Sequence, residues 1–148
     1  MDREAYMHEA IKLAREAFAA GDVPVGCVIA DAEGRIIGRG RNRREERADA
    51  TAHAEIEAIR EACAAAGSWR LDGCTMFVTL EPCPMCTGAI INSRIPTLVF
   101  GAREPLSGSC GSVIDLFQER YGHRCAVFAG TLSDECRALM QEFFASLR

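Results

Sequence analysis

Thr75-Met76-Phe77-Val78-Thr79-Leu80-Glu81-Pro82-Cys83-Pro84-Met85-Cys86 reads as a buried strand that runs straight into a helix. The stretch from Thr75 to Leu80 has the length of a strand, and Thr75, Val78 and Thr79 supply the β-branched side chains that pack on a pleated surface. Glu81-Pro82 ends the strand, and a helix is predicted from Cys83 to Ser93. The same alternation recurs on both sides. Upstream, Tyr6, Ile11, Leu13, Ala14 and Phe18 recur at helical spacing from about Asp2 to Ala20, and Gly21 stops the run. Val25 to Ala30 and Arg35 to Arg39 flank an Asp-Ala-Glu-Gly turn and predict a hairpin. Asn42 to Asp49 is polar and charged, hence a loop, and Thr51 is expected to cap a helix that reaches about Ala65 and breaks at Gly67-Ser68.

Downstream of the junction, Thr97 to Phe100 is a further strand, followed by a loop from Gly101 to Ser112. A short helix at Val113 to Glu119, a strand at Cys125 to Phe128 and a closing helix from Ser133 to Leu147 complete the chain. The order α-ββ-α-β-α-β-α-β-α calls for a sheet covered on both faces. The predicted fold class is therefore α/β, a three-layer α/β/α sandwich around a mixed five-stranded sheet. Its hairpin must be antiparallel, and the strands joined through helices are expected to run parallel.

The chain has 148 residues and a mass of 16.1 kDa, which suits a single domain spanning residues 1–148. Hydrophobic residues make up 49% and charged residues 26%, the balance of an ordinary globular protein rather than a disordered one. No apolar run approaches the ~20 residues that cross a bilayer, so no membrane association is expected. Asp2, Arg3, Glu4, Lys12, Arg15 and Glu16 interrupt the first twenty residues, so no secretory signal is expected there. The net charge of -4 argues weakly against nucleic acid, but six arginines fall between Arg35 and Arg47. Local charge counts for more than the total on a small footprint.

Eight cysteines need sorting. Cys27, Cys63, Cys74, Cys110, Cys125 and Cys136 stand singly among apolar neighbours and read as small buried hydrophobes in a reducing cytosol. Cys83 and Cys86 form a spaced pair at a helix start, where both sulfurs can point at one ion and the helix dipole favours thiolates. His53 opens the neighbouring helix, so three ligands are available and a water completes the coordination of a catalytic zinc. Glu55, two residues on, is close to the metal and is not expected to coordinate beside His53. It is placed to take a proton from the zinc-bound water and pass it to a substrate nitrogen. A thioredoxin-type redox pair is the competing reading of Cys-x-x-Cys, but it has no use for an upstream His-x-Glu.

His53-Ala54-Glu55 with Pro82-Cys83-x-x-Cys86 resembles the H-x-E…P-C-x-x-C signature of the zinc nucleobase deaminases. Asp22-Val23-Pro24-Val25-Gly26, Thr51 to Ile56, Val78 to Cys83, Ser93-Arg94-Ile95 and Val99 to Ala102 are similar to the bacterial tRNA adenosine deaminases within that superfamily, and the likeness covers nearly the whole chain. The resemblance implies a cytidine deaminase-like fold and one Zn2+ per subunit held by His53, Cys83 and Cys86. It further implies Glu55 as proton shuttle, Asn42 hydrogen-bonded to a flipped nucleotide, the backbone of Ala54 on the base, and Val25 and Leu80 as pocket walls. The implied activity converts the wobble adenosine of a tRNA anticodon loop to inosine, in a cytoplasmic homodimer.

Two alternatives stay open. The same zinc chemistry suits a small free nucleobase or nucleoside such as guanine or cytosine, which the acidic total charge favours. A catalytically silent zinc module is the other, and the intact Glu55 speaks against it. Arg41, Arg43, Arg44 and Arg47 beside Asn42 read equally as an RNA-facing cluster or as a solvated loop offset by Glu45, Glu46 and Asp49.

Overall fold

A computed structural model describes residues 1–147. The first helix, α1 (Arg3–Ala19), starts where the Asp2 side chain accepts the Ala5 amide at 3.1 Å. Met7, Ala10, Ile11, Ala14 and Ala17 bury one stripe of it, the 3–4 spacing that a sheet-facing helix requires. Strands β1 (Gly26–Ala30) and β2 (Ile36–Arg41) form the antiparallel hairpin, β2 running two residues further than its sequence predicts. A one-turn helix, α2 (Arg44–Arg47), stands inside the segment predicted to be loop, followed by α3 (Ala54–Ala66). Then come β3 (Thr75–Leu80), α4 (Pro84–Ser93), β4 (Thr97–Ala102), β5 (Ala126–Ala129) and α5 (Ser133–Ser146).

The sheet has five strands in the order β2-β1-β3-β4-β5. β1 pairs antiparallel with β2 and β3, whereas β3, β4 and β5 run parallel, so the sheet is mixed as predicted. Strands covered on both faces lose the in–out alternation and become continuously apolar. β3 illustrates this: Met76 and Val78 pack with Ala54, Ala58, Ile90 and Leu98 on one face, and Phe77 packs with Met7, Ala10 and Val28 on the other. α1 and α5 cover that second face, and α3 and α4 the first.

β2 and α3 approach each other closely. A Cβ at Gly38 or Gly40 would strike the Ala58 or Ala54 carbonyl, so these two glycines let α3 lie directly on the strand. That contact fixes the N-terminus of α3, which carries the predicted site residues His53, Ala54 and Glu55, against the end of β2.

Two local expectations are corrected. Thr51 does not cap α3: its hydroxyl and amide both bond the Asp49 carboxylate, at 2.7 and 2.8 Å, and the N-cap position falls to His53. The helix predicted from Val113 to Glu119 is a single 3-10 turn at Leu116–Gln118, started by the Asp115 side chain accepting the Phe117 amide at 3.1 Å. The one-turn α2 has a long-range cause. The buried Asp22 carboxylate accepts the Glu45 and Glu46 amides at 3.1 and 3.3 Å.

Candidate metal centre and nucleobase pocket

The parallel strand β3 ends at Leu80, and the chain turns through Glu81-Pro82 into α4 beside the start of α3. His53 and Cys83 are the N-cap residues of α3 and α4, and neither side chain makes a capping bond. Pro84 stands at the first helical position, where its missing N–H costs nothing. Cys86 lies one turn in, so its sulfur returns to the same point as that of Cys83.

These three residues are brought together. Zinc bonds of about 2.3 Å to sulfur and about 2.0–2.1 Å to nitrogen at tetrahedral angles put N and S about 3.6 Å apart. His53 Nδ1 lies 3.6 Å from Cys83 Sγ and 3.5 Å from Cys86 Sγ, and all three ligand atoms fall within 4.8 Å of one another. The donor set, one imidazole and two sulfurs, is one that zinc selects, and it fits a single ion.

The electrostatics agree. A hydrogen bond from Cys86 is the main cause that pulls the Cys83 thiol down to about 4, with His53 and the Cys86 amide adding to it against burial. The same proton, held between the sulfurs, keeps Cys86 protonated well above the ordinary thiol range. Contact with Cys83 raises His53. Two sulfurs and a ring nitrogen thus share protons at the place where a cation would replace them. All eight cysteines are free thiols, so the pair is no disulfide.

Glu55 is 4% exposed, and burial pushes its carboxyl up to about 7, His53 and a bond from Cys86 opposing the shift. A carboxyl that titrates near neutrality gains and loses a proton readily, which is what general acid–base work needs. Behind it, Cys27 of β1 is fully buried and raised well above its ordinary value, first by burial and then by Glu55.

A cavity of about 170 Å³ opens over this group, lined by Val25, Asn42, His53, Ala54, Glu55, Leu80 and Cys83, with Cys86 buried beneath. All eight residues singled out from the sequence therefore lie in or under one cavity. Asn42, 5% exposed, donates to the Val23 carbonyl at 3.3 Å, and its Oδ1 is buried without a partner. Cys110 and Cys125 do not line it; Cys110 contacts the Thr87 hydroxyl at 3.4 Å.

Other cavity residues carried no role in the sequence reading: Val23, Glu81, Glu104, Ser107, Met140 and Phe144. Glu81 is the most consequential. Its carboxylate is almost fully buried and accepts the Glu104 and Cys110 amides, both at 3.1 Å, the Ser112 amide at 3.0 Å, and the Ser112 hydroxyl. A Cβ at Gly108 would strike it. Burial alone would raise this carboxyl, but the bonds from Ser112, Glu104 and Cys110 hold it below its ordinary value. One side chain at the end of β3 thereby pins the loop that forms the far lip. An acid at the close of an apolar strand was the available signal.

A three-layer fold with a His/Cys/Cys cluster and a buried carboxylate at the carboxyl end of a parallel strand defines a zinc-dependent hydrolytic deaminase. Residues 1–102 match the family model described as the cytidine and deoxycytidylate deaminase zinc-binding region. The tRNA-specific adenosine deaminase of Bacillus subtilis (strain 168) is 48% identical over 146 residues, covering 98% of this chain and 90% of that protein. A structure from a study of A-to-I editing by tRNA:A34 deaminases at the wobble position superposes with a TM-score of 0.87 at 40% identity, over 91% of this chain and 98% of that one. A guanine deaminase from Nitrosomonas europaea gives a TM-score of 0.78 at 29% identity, over 96% of this chain and 84% of that one. The chain belongs to the family of tRNA-specific adenosine deaminases.

Proposed function

We propose that this enzyme hydrolytically deaminates the wobble adenosine of a tRNA anticodon to inosine, as one deaminase domain over residues 1–148, of which Arg148 lies outside the described residues. The observation that carries the chemistry is a buried carboxyl facing a base-sized cavity beside a zinc-ready cluster. His53, Cys83 and Cys86 are the ligands in this reading. When bound, zinc supplies Lewis-acid activation of water. Glu55 takes the two protons of the attacking water in turn, passing the first to the purine ring nitrogen and the second to the departing amine. Adenine plus water then yields the inosine base plus ammonia. Asn42 offers a buried, unpaired polar atom to the base edge, and Val25 and Leu80 clasp its faces.

A homodimer and a cytoplasmic location belong to the same proposal. Exposed Val113, Ile114 and Tyr121 between β4 and β5 support the former, and eight free thiols support a reducing compartment. The second reading, a free nucleobase as substrate, is favoured by the likeness to guanine deaminase. The full chain, loaded with zinc, is incubated with an anticodon stem-loop carrying adenosine at the wobble position and, separately, with free bases and nucleosides. Inosine in the stem-loop supports the proposal; turnover of a free base with none of the stem-loop overturns it.

A further inference from the structure

Four arginines follow or end β2, and the structure separates them. Arg41 and Arg43 both reach the Glu46 carboxylate, at 3.0 and 2.7 Å, and Arg47 pairs with Glu57. No described carboxylate lies within ion-pair distance of Arg44. Among the described residues it is also the one Lys or Arg that lines the cavity.

Its place is built by the fold. Asp22 holds the amides of the two residues that follow it. On its other side the Arg43 amide bonds the Ala52 carbonyl at 2.9 Å and the Asn42 amide bonds the Val25 carbonyl at 3.1 Å. Chain on both sides of Arg44 is therefore tied down by neighbouring residues, next to the buried, unpartnered Oδ1 of Asn42.

The cavity's 170 Å³ falls well short of the ~300–1,000 Å³ that encloses a whole drug-sized ligand. A base enters; its ribose and phosphates remain at the rim. A guanidinium without a counterion beside a base-sized opening matches an anion covalently attached to that base, and Arg suits phosphate in geometry as well as charge.

We propose that the Arg44 guanidinium binds a backbone phosphate flanking the nucleotide whose base occupies the cavity. This rests on the RNA reading above and deepens it, because a free nucleobase carries no such group. Arg44 becomes the residue that separates an RNA substrate from a free base.

The test measures KM and kcat for the stem-loop across a series of salt concentrations, with zinc-loaded wild type, Arg44→Ala, Arg44→Lys and Arg43→Ala. One lost phosphate contact on single-stranded RNA lowers the slope of log KM against log salt by about 0.7, which corresponds to roughly a fourfold rise in KM at about 0.15 M salt. Arg44→Ala is expected to show both changes, Arg44→Lys to recover most of the slope, and Arg43→Ala to keep the wild-type slope. Adenosine 5′-monophosphate serves as a second probe, offering a phosphate without flanking chain. Its efficient turnover, with a KM that depends on Arg44, would assign the site to a mononucleotide and overturn the RNA assignment. An unchanged slope in Arg44→Ala, or an equal change in Arg43→Ala, removes the proposal and leaves the wobble reading standing. Absence of inosine with wild type removes both.

Discussion

Replacing Glu81 by Gln keeps the shape of the side chain and deletes its charge. In the wild type, Oε2 accepts the Cys110 and Ser112 amides, and Oε1 accepts the Glu104 amide and the Ser112 hydroxyl. A glutamine presents N–H groups to one of these pairs. Its best arrangement turns the amide toward Oε1's partners, because the Ser112 hydroxyl can rotate and accept, and only the Glu104 amide is orphaned. Losing one hydrogen bond to a charged group costs about 1.5–3 kcal/mol, and the bonds that survive weaken as the charge disappears. A total near 3 kcal/mol follows, which for a chain of this size lowers Tm by about 6–12 °C. Thermal and urea unfolding of the zinc-loaded protein measure it, and amide exchange at Cys110 and Ser112 shows whether the loop has come loose. The sign with pH is fixed: a carboxyl held below its ordinary value of 4.5 stabilises above that pH, and the contribution disappears as pH falls through the folded value. Wild type and variant should therefore converge in acid. A Tm within about 2 °C of wild type at neutral pH, less than the change expected for a single kcal/mol, would refute the claim that this carboxylate pins the loop.

The remaining expectations concern the metal centre. Glu55→Gln should retain one zinc per chain by elemental analysis and lose about 10²–10⁴-fold in kcat, the usual reach of a general acid–base group; wild-type turnover in that variant would remove Glu55 from proton transfer. Cys83→Ala should lose zinc and much of its soluble yield, since ligand thiolates couple metal binding to folding; zinc content equal to wild type would exclude it as a ligand.

Much of this architecture was readable in the residues because it depends on local pattern. The β-branched run from Thr75 to Leu80 and the Pro-Cys-Pro start of α4 are properties of neighbouring residues, and so is the 3–4 stripe of α1. What escaped depends on partners distant in sequence. α2 forms in a charged segment because Asp22, distant in sequence, holds its first amides, and no local pattern in Arg44–Arg47 announces that. Thr51 looks like a cap by residue type, yet Asp49 two residues earlier competes for its hydroxyl and wins. The site divides in the same way. His53, Glu55, Cys83 and Cys86 stand out by spacing, whereas Glu81 becomes meaningful only once the loop from Glu104 to Ser112 folds back over it. Pairing with Glu46 and Glu57 likewise sorted arginines that are indistinguishable by composition.

The two uncapped helix starts have an engineering consequence. Ser, Thr, Asp or Asn at an N-cap is ordinarily worth about 1 kcal/mol, and α3 and α4 forgo it because His53 and Cys83 turn their side chains toward each other instead. A campaign for heat resistance guided by helix statistics would pick these two positions early, and success there would disarm the enzyme. In this molecule tolerance to heat and catalytic power compete for the same two side chains.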